Sequence, residues 1–418
     1  MKKLFLIIGI VFSFIMCTED DDIKLVENPG DIENGIPTGG DPLAPPPPHL
    51  VFPAPCEGGL AGAIYPCSNI DLIYKISLND LDANRGNDCW GWTDASTGKE
   101  YALMGLDNGT AFIDISDPAA PVYLGKLQTE TSSSNWRDIK VYKDHVFVVS
   151  EANNHGMQVF DLTQLRKVTN PPRNFNATAV YTGFGSAHNI VINEDTGFAY
   201  AVGTATFGGG PHFINIQDPT NPVAAGGYSI GDYSHDAQVV TYNGPDTEHQ
   251  GKEILLGSNE NKIIIVDITD KSNPLEIVSI TYPQTGYTHQ GWFTEDQRYF
   301  IIGDELDELN FGLNSRTLVF DFSDLDNPSL SLQYAGPTTA IDHNGYVRGT
   351  SYYLSNYTAG LRILTITDGD LNEIAFFDTY PTNNNASFNG AWSVYPYFES
   401  GHVIISDIDT GFYIVKPN

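Results

Sequence analysis

Seven times between Trp90 and Trp392 the chain repeats one short phrase, and that repetition limits the fold more than any other feature. An aromatic residue or His followed by polar residues opens a strand. A second strand comes next, then a third that runs into a turn such as Val266-Asp267-Ile268-Thr269-Asp270. The openings are Trp90-Gly91-Trp92, Trp136-Arg137-Asp138, His188-Asn189, His235-Asp236, His289-Gln290, His343-Asn344 and Trp392-Ser393, spaced 46 to 54 residues apart. That is the period of a four-stranded blade. Seven such units predict an all-β, seven-bladed β-propeller with the opening slot on the strand nearest the central axis.

The fourth unit gives the pattern in full. Strands are expected over His235–Tyr242, Glu253–Gly257, Lys262–Ile268 and Leu275–Tyr282, with the turn Thr269-Asp270-Lys271-Ser272-Asn273-Pro274 before the last. β-Branched and aromatic runs bounded by Asp, Asn and Pro are strand-and-turn chemistry. No stretch keeps a helical period, although 162–168 has room for one short turn. The last unit stops after its third strand, 411–415. The segment 70–78 is patterned like an outer strand and is expected to supply the fourth, closing the ring and removing an open edge.

The ends speak about location. Met1-Lys2-Lys3 precedes an apolar run from Leu4 to Met16 and then Cys17. A basic start and a run this short predict a signal peptide over 1–16, not a spanning helix. Cys17, followed by Thr18-Glu19-Asp20-Asp21-Asp22, looks like a bacterial lipoprotein signal in which the Cys is acylated, although Met16 stands where a small residue is usual. An ordinary cleaved signal is the alternative. Acylation predicts attachment to outer-membrane lipid, with the domain on the cell surface. From 17 to 55 the chain is acidic and rich in Gly and Pro, which predicts a lipidated flexible tether. The domain itself is expected over 56–418.

The formal net charge of −31 excludes nucleic acid as a partner, because phosphates would be repelled. Of the four Cys, Cys56 and Cys67 flank a loop short enough to close as a disulfide, as an oxidising compartment allows. Cys89, beside Trp90, is expected to be a small buried residue, with a reactive thiol as the other reading.

The stretches Asp88-Cys89-Trp90-Gly91-Trp92, Asn135-Trp136-Arg137-Asp138, His155-Gly156-Met157-Gln158-Val159, Tyr287-Thr288-His289-Gln290-Gly291-Trp292 and Ala391-Trp392-Ser393-Val394-Tyr395 resemble the choice-of-anchor B family. Its members contain LVIVD-type repeats, seen here as Ile263-Ile264-Ile265-Val266-Asp267. The resemblance runs from about Cys56 to the C-terminus. It implies a secreted repeat domain held at the cell surface by a variable anchor, here a lipid, and it implies no particular reaction.

His188, His235, His289 and His343 share one slot on four consecutive units, so a ring would converge their imidazoles near one channel mouth. Neutral imidazole is a ligand for Zn, Fe, Cu or Ni. The same slot holds Trp136 and Trp392, so a packing position for flat polar rings is the competing reading. Glu151, Glu260, Asp304, Glu305 and Asp407 follow second strands and are expected near the same rim. Carboxylates there would suit Ca, or Glu151 and Glu305 could act as acid/base groups beside a metal. Arg137, Arg348 and Arg362 are their candidate ion-pair partners. Trp90, Trp136, Arg137, Asp138, Asp236, Trp292 and Trp392 are the candidate binding rim.

The resulting expectation is a lipid-anchored surface propeller serving as a binding or scaffold module for a protein or glycan, with a possible metal at the channel mouth. Its rivals are an extracytoplasmic metalloenzyme with a four-His centre and a surface glycan-binding protein.

Overall fold

A computed structural model describes residues 50–418. The signal peptide, Cys17 and the tether before residue 50 lie outside the described residues.

The described residues are all-β apart from a five-residue helix, Asp307–Phe311, and two 3-10 turns, Leu162–Lys167 and Phe207–Gly209. The strands form seven sheets. Their innermost strands are Gly86–Asp94, Arg137–Tyr142, Asn189–Asn193, Asp236–Thr241, Thr288–Phe293, Gly345–Arg348 and Ala391–Tyr395. Each touches the next, and the last touches the first, so the sheets ring a common axis as in a β-propeller.

The fourth sheet shows why the sequence folds this way. Its strands are Asp236–Thr241, Glu253–Ser258, Ile263–Asp267 and Leu275–Ile280, paired in that order and antiparallel. The middle two are buried along nearly their whole length because both faces of the sheet are covered. Ile254, Leu256, Ile263 and Ile265 pack against Phe300, Ile302, Leu318 and Phe320 of the fifth sheet. Burial of this kind contributes about 25 cal/mol per Å2 of apolar surface. The turn out of the third strand is fixed by Asx geometry. Asp267 accepts the Thr269 amide at 3.0 Å, and Asp270 accepts that of Ser272 at 2.9 Å.

Ile70–Ile76 pairs antiparallel with Gly411–Pro417, setting Tyr74 opposite Ile414 and Leu72 opposite Val415. The ring is therefore closed by strands from the two ends of the described chain.

Other features depart from expectation. Residues 50–55, assigned to the tether, lie on the body. Ala54 exchanges two backbone hydrogen bonds with Leu72, and the Phe52 ring sits 4.7 Å from Tyr74. The apolar Leu50-Val51-Phe52 triplet explains this, since it has surface to bury and the acidic stretch before it does not. Cys56 and Cys67 form a disulfide. It clasps three short strands, the last of which, Tyr65–Ser68, extends the sixth sheet beside Asp370–Phe377. Arg173–Phe175 leaves its own repeat and pairs parallel with Val122–Gln128 of the first sheet.

Candidate functional site

Hydrogen bonds between neighbouring sheets define which positions are equivalent. Asp88 accepts the amide proton of Ile139 at 3.0 Å, Asp138 that of Ile190 at 2.7 Å, and Gln290 that of Gly345 at 3.0 Å. Asp88, Asp138, Asn189, Asp236, Gln290, Asn344 and Ser393 therefore occupy one level. The slot immediately before them holds Asn87, Arg137, His188, His235, His289, His343 and Trp392. Two expected slot residues are corrected by this register. Trp90 lies three positions further along its strand, and Trp136 lies one position too early. The recurring signal was a slot residue followed by a short polar side chain, so Asn87-Asp88 and Arg137-Asp138 match His188-Asn189 better than the neighbouring indoles do. Among the described residues, none of the polar side chains that follow the His residues hydrogen-bonds an imidazole. Gln290 instead holds the next strand's backbone, and Asn189 donates to the His235 carbonyl at 3.3 Å.

The four imidazoles form an arc. Ring centroids are 4.2 Å apart for His188–His235, 4.4 Å for His235–His289 and 4.4 Å for His289–His343. Trp392 continues the arc 5.0 Å from His343. The Nδ1 of His235 lies 3.2 Å from the His289 carbonyl, and the Nδ1 of His343 lies 2.5 Å from the Trp392 carbonyl. A carbonyl only accepts, so these nitrogens carry the proton and Nε2 is left with its lone pair. Burial pushes His289 and His343 down to about 3 and His235 well below its ordinary value. Three imidazoles are thus neutral at physiological pH. Burial also works against protonation of His188, but Glu151, 2.5 Å from its Nδ1, outweighs this and raises it.

Glu305 reaches the centre of the arc. Its carboxylate accepts from the Tyr357 hydroxyl at 2.8 Å and faces His343 Nε2 at 3.6 Å and His289 Nε2 at 3.7 Å. These separations exceed a hydrogen bond. One ligand atom from each of His235, His289 and Glu305 falls within 4.8 Å of the others. Ligands bound at ~2.0–2.2 Å in tetrahedral geometry lie roughly 3.3–3.6 Å apart, close to the 3.6 and 3.7 Å that separate Glu305 from His343 and His289.

The remaining carboxylates separate by role. Asp304 is fully buried and accepts the amides of Gly286 and Tyr287 and the Tyr282 hydroxyl, so it shapes a loop. Asp407 accepts the amides of Asp409 and Thr410 in a turn. The Glu260 backbone bridges to Thr288. Arg137, Arg348 and Arg362 do not pair with this group among the described residues. Arg137 donates to the Leu106 carbonyl and Thr129 hydroxyl and abuts His155. Arg348 binds the Pro396 and Phe398 carbonyls, and Arg362 binds Glu373. The cation that approaches Asp304 and Asp307 is Arg316, which the sequence did not single out.

Trp136 is 37 % exposed and borders an open cleft of about 400 Å3 with Ser132, Ser134, Asn153 and Glu151. Trp90 and Trp292 lie three positions along their strands from the slot, Trp90 at mid-strand and Trp292 next to its strand's end. There they line a cavity of about 120 Å3 with Lys140, Glu194 and Gln238. Asp138 and Asp236 lie between the two levels. Lys140 binds Asp138 at 2.7 Å and reaches Asp88 at 3.6 Å. Burial pushes Asp88 well above the carboxylate range and also opposes ionisation of Asp138, which Lys140 nonetheless holds low. The expected binding rim is therefore divided between two mouths. Cys89 is buried, and burial drives its thiol far above the ordinary range, as an inert packing residue requires.

Two stretches, residues 98–129 and 256–281, match the LVIVD repeat family model. They span the later strands of the first and fourth sheets. No curated protein matches the chain. Among solved structures, it is similar to Kuenenia stuttgartiensis hydrazine synthase at 11% identity, over 79% of this chain and 96% of that one, with a TM-score of 0.56. It is also similar to the Myceliophteria thermophila Cps50 (Swd1) β-propeller domain at 11% identity, over 84% of this chain and 100% of that one, with a TM-score of 0.53. A functionally unknown protein from Desulfotomaculum acetoxidans matches at 12% identity, over 73% and 89%, with a TM-score of 0.50. At such identities the likeness concerns the fold alone. The chain is a β-propeller that carries LVIVD repeats.

Proposed function

We propose that this protein is a seven-bladed binding module of the choice-of-anchor B type, held at the outer-membrane surface by an acylated Cys17, with a transition-metal centre at one channel mouth. His235, His289 and Glu305 are the core ligands, and His343 is placed to join them. The observation that carries the metal reading is the contact between His343 Nε2 and Glu305. The Nδ1 proton of His343 points at a carbonyl, so a lone pair faces a carboxylate 3.6 Å away with no proton between them. A cation resolves that repulsion. Imidazoles with one carboxylate suit Zn, Fe, Cu or Ni better than Ca, whose ligands are all oxygens. Glu151 and His188, hydrogen-bonded to each other, stand beside the centre and would bind or orient whatever approaches it. They would serve as an acid/base pair if the metal also performs chemistry.

Elemental analysis of protein equilibrated with these metals and then desalted tests the centre. One equivalent is expected for the native chain, with at least a tenfold loss in His235→Ala and His289→Ala variants that keep the native circular dichroism. Native protein that retains no metal and shows no change in melting temperature with any of them would sink the proposal. The anchor is tested separately by labelled palmitate, whose incorporation and membrane fractionation should both vanish in Cys17→Ser. A Cys17→Ser chain that stays with the membrane refutes it.

A further inference from the structure

The opposite mouth has its own chemistry, independent of the metal. Three positions beyond the His slot, the innermost strands present Trp90, Lys140, Gln238 and Trp292 at one level. Tyr346 meets both indoles edge-on, with centroids 5.6 Å from Trp90 and 5.0 Å from Trp292. Tyr395 braces Trp90 from the other side at 5.1 Å. Such edge contacts fix the indoles before any ligand arrives.

We infer that this cavity is a binding site for one neutral, hydroxylated six-membered ring, such as the terminal unit of a glycan. Size sets the first limit. The space is about 120 Å3, less than the roughly 150 Å3 cavity that accepts benzene, so only part of one ring enters, the rest staying in solvent, and a chain does not. Charge sets the second. Lys140 already lies 4.5 Å from the Trp90 centroid, and an added cation would meet its repulsion. Asp138 and Asp88 already engage that ammonium, and Glu194 lines the cavity, so an anion finds no free positive partner. Polarity sets the third. The Gln238 carbonyl oxygen accepts the Phe293 amide at 2.8 Å, while its amide nitrogen donates to no group among the described residues. A purely apolar ring would strip water from Gln238, Glu194 and Lys140 and return no hydrogen bond, at a cost of about 1–3 kcal/mol for each group left unpaired. Hydroxyls on a ring with apolar faces satisfy both the indoles and these groups.

Indole fluorescence titrations of the full chain test this with methyl glycosides of glucose, galactose, mannose and N-acetylglucosamine, alongside tetramethylammonium, phosphate and p-cresol. At least one glycoside is expected to saturate, with a roughly tenfold weaker Kd in Trp292→Ala and a smaller loss in Trp292→Phe, which keeps the packing. Glu194→Gln should weaken binding while leaving the melting temperature unchanged. His235→Ala should leave the affinity unchanged, which separates this site from the metal centre. Saturation by tetramethylammonium, phosphate or p-cresol with none by any glycoside overturns the inference, as does silence from every probe. Glycoside binding that survives both Trp292→Ala and Glu194→Gln also overturns it.

Discussion

Asp378 follows the outer strand of the sixth sheet with its side chain 3 % exposed, and its carboxylate accepts the Tyr380 amide at 2.8 Å. Burial raises it to about 6, with the charge of Asp407 adding to the effect against the pull of Tyr380 and Arg362. The unfolded carboxyl titrates near 3.9. The folded chain therefore holds this proton more tightly, which favours folding below about pH 4. That advantage is lost as the pH rises through about 6. Asp378→Asn keeps an acceptor for Tyr380 and cannot ionise. It is expected to raise stability at neutral pH by on the order of 1–3 kcal/mol and to change little at pH 4. Chemical denaturation at both values checks this, and an equal effect at both would refute it. The sequence did not mark Asp378. One Asp among 52 acidic residues gives no sign of burial, because burial is set by strands far away in the chain.

At the scale of elements, legibility followed locality. The middle strands were readable because runs such as Ile263–Asp267 are apolar on both faces, and their turns because Asp267 and Asp270 bind amides two residues on. The four His positions were readable for the same reason, since strand phase alone sets them in one slot. Phase was lost where a large aromatic distracted from it. Trp90 and Trp136 match the other openings in ring identity, whereas Asn87 and Arg137 occupy the slot by register. Elements fixed only by distant partners left no trace. Arg173–Phe175 is three residues long and gains its pairing from a strand some fifty positions earlier. The short helix Asp307–Phe311 likewise depends on Arg316, whose guanidinium holds Asp307 at 2.5 Å. Glu305, which completes the His arc, was legible with Glu151 as an acid/base candidate near the rim, but its hydrogen-bond partner was not. Its partner Tyr357 comes from the next sheet.

For the whole molecule the decisive contact is the one between the ends. Six sheets take their innermost-to-outermost strands from consecutive stretches of chain or add to them, whereas the seventh is completed by Ile70–Ile76 against Gly411–Pro417. Phe412, Tyr413, Ile414 and Val415 are all fully buried, so this seam is part of the core. Removing it would leave Ile70–Ile76 unpaired beside the exposed edge of Val403–Asp407, and unpaired edges invite association with other chains. It would also break the cycle of sheet-on-sheet contacts, exposing the apolar faces of Ile404 and Ile405 to water. A chain ending after Thr410 is therefore expected to lose soluble monomer and cooperative thermal unfolding together, as judged by size-exclusion chromatography and differential scanning calorimetry. A monomer melting close to the full chain would mean that the ring holds without its seam, because contacts between adjacent sheets would then be sufficient on their own.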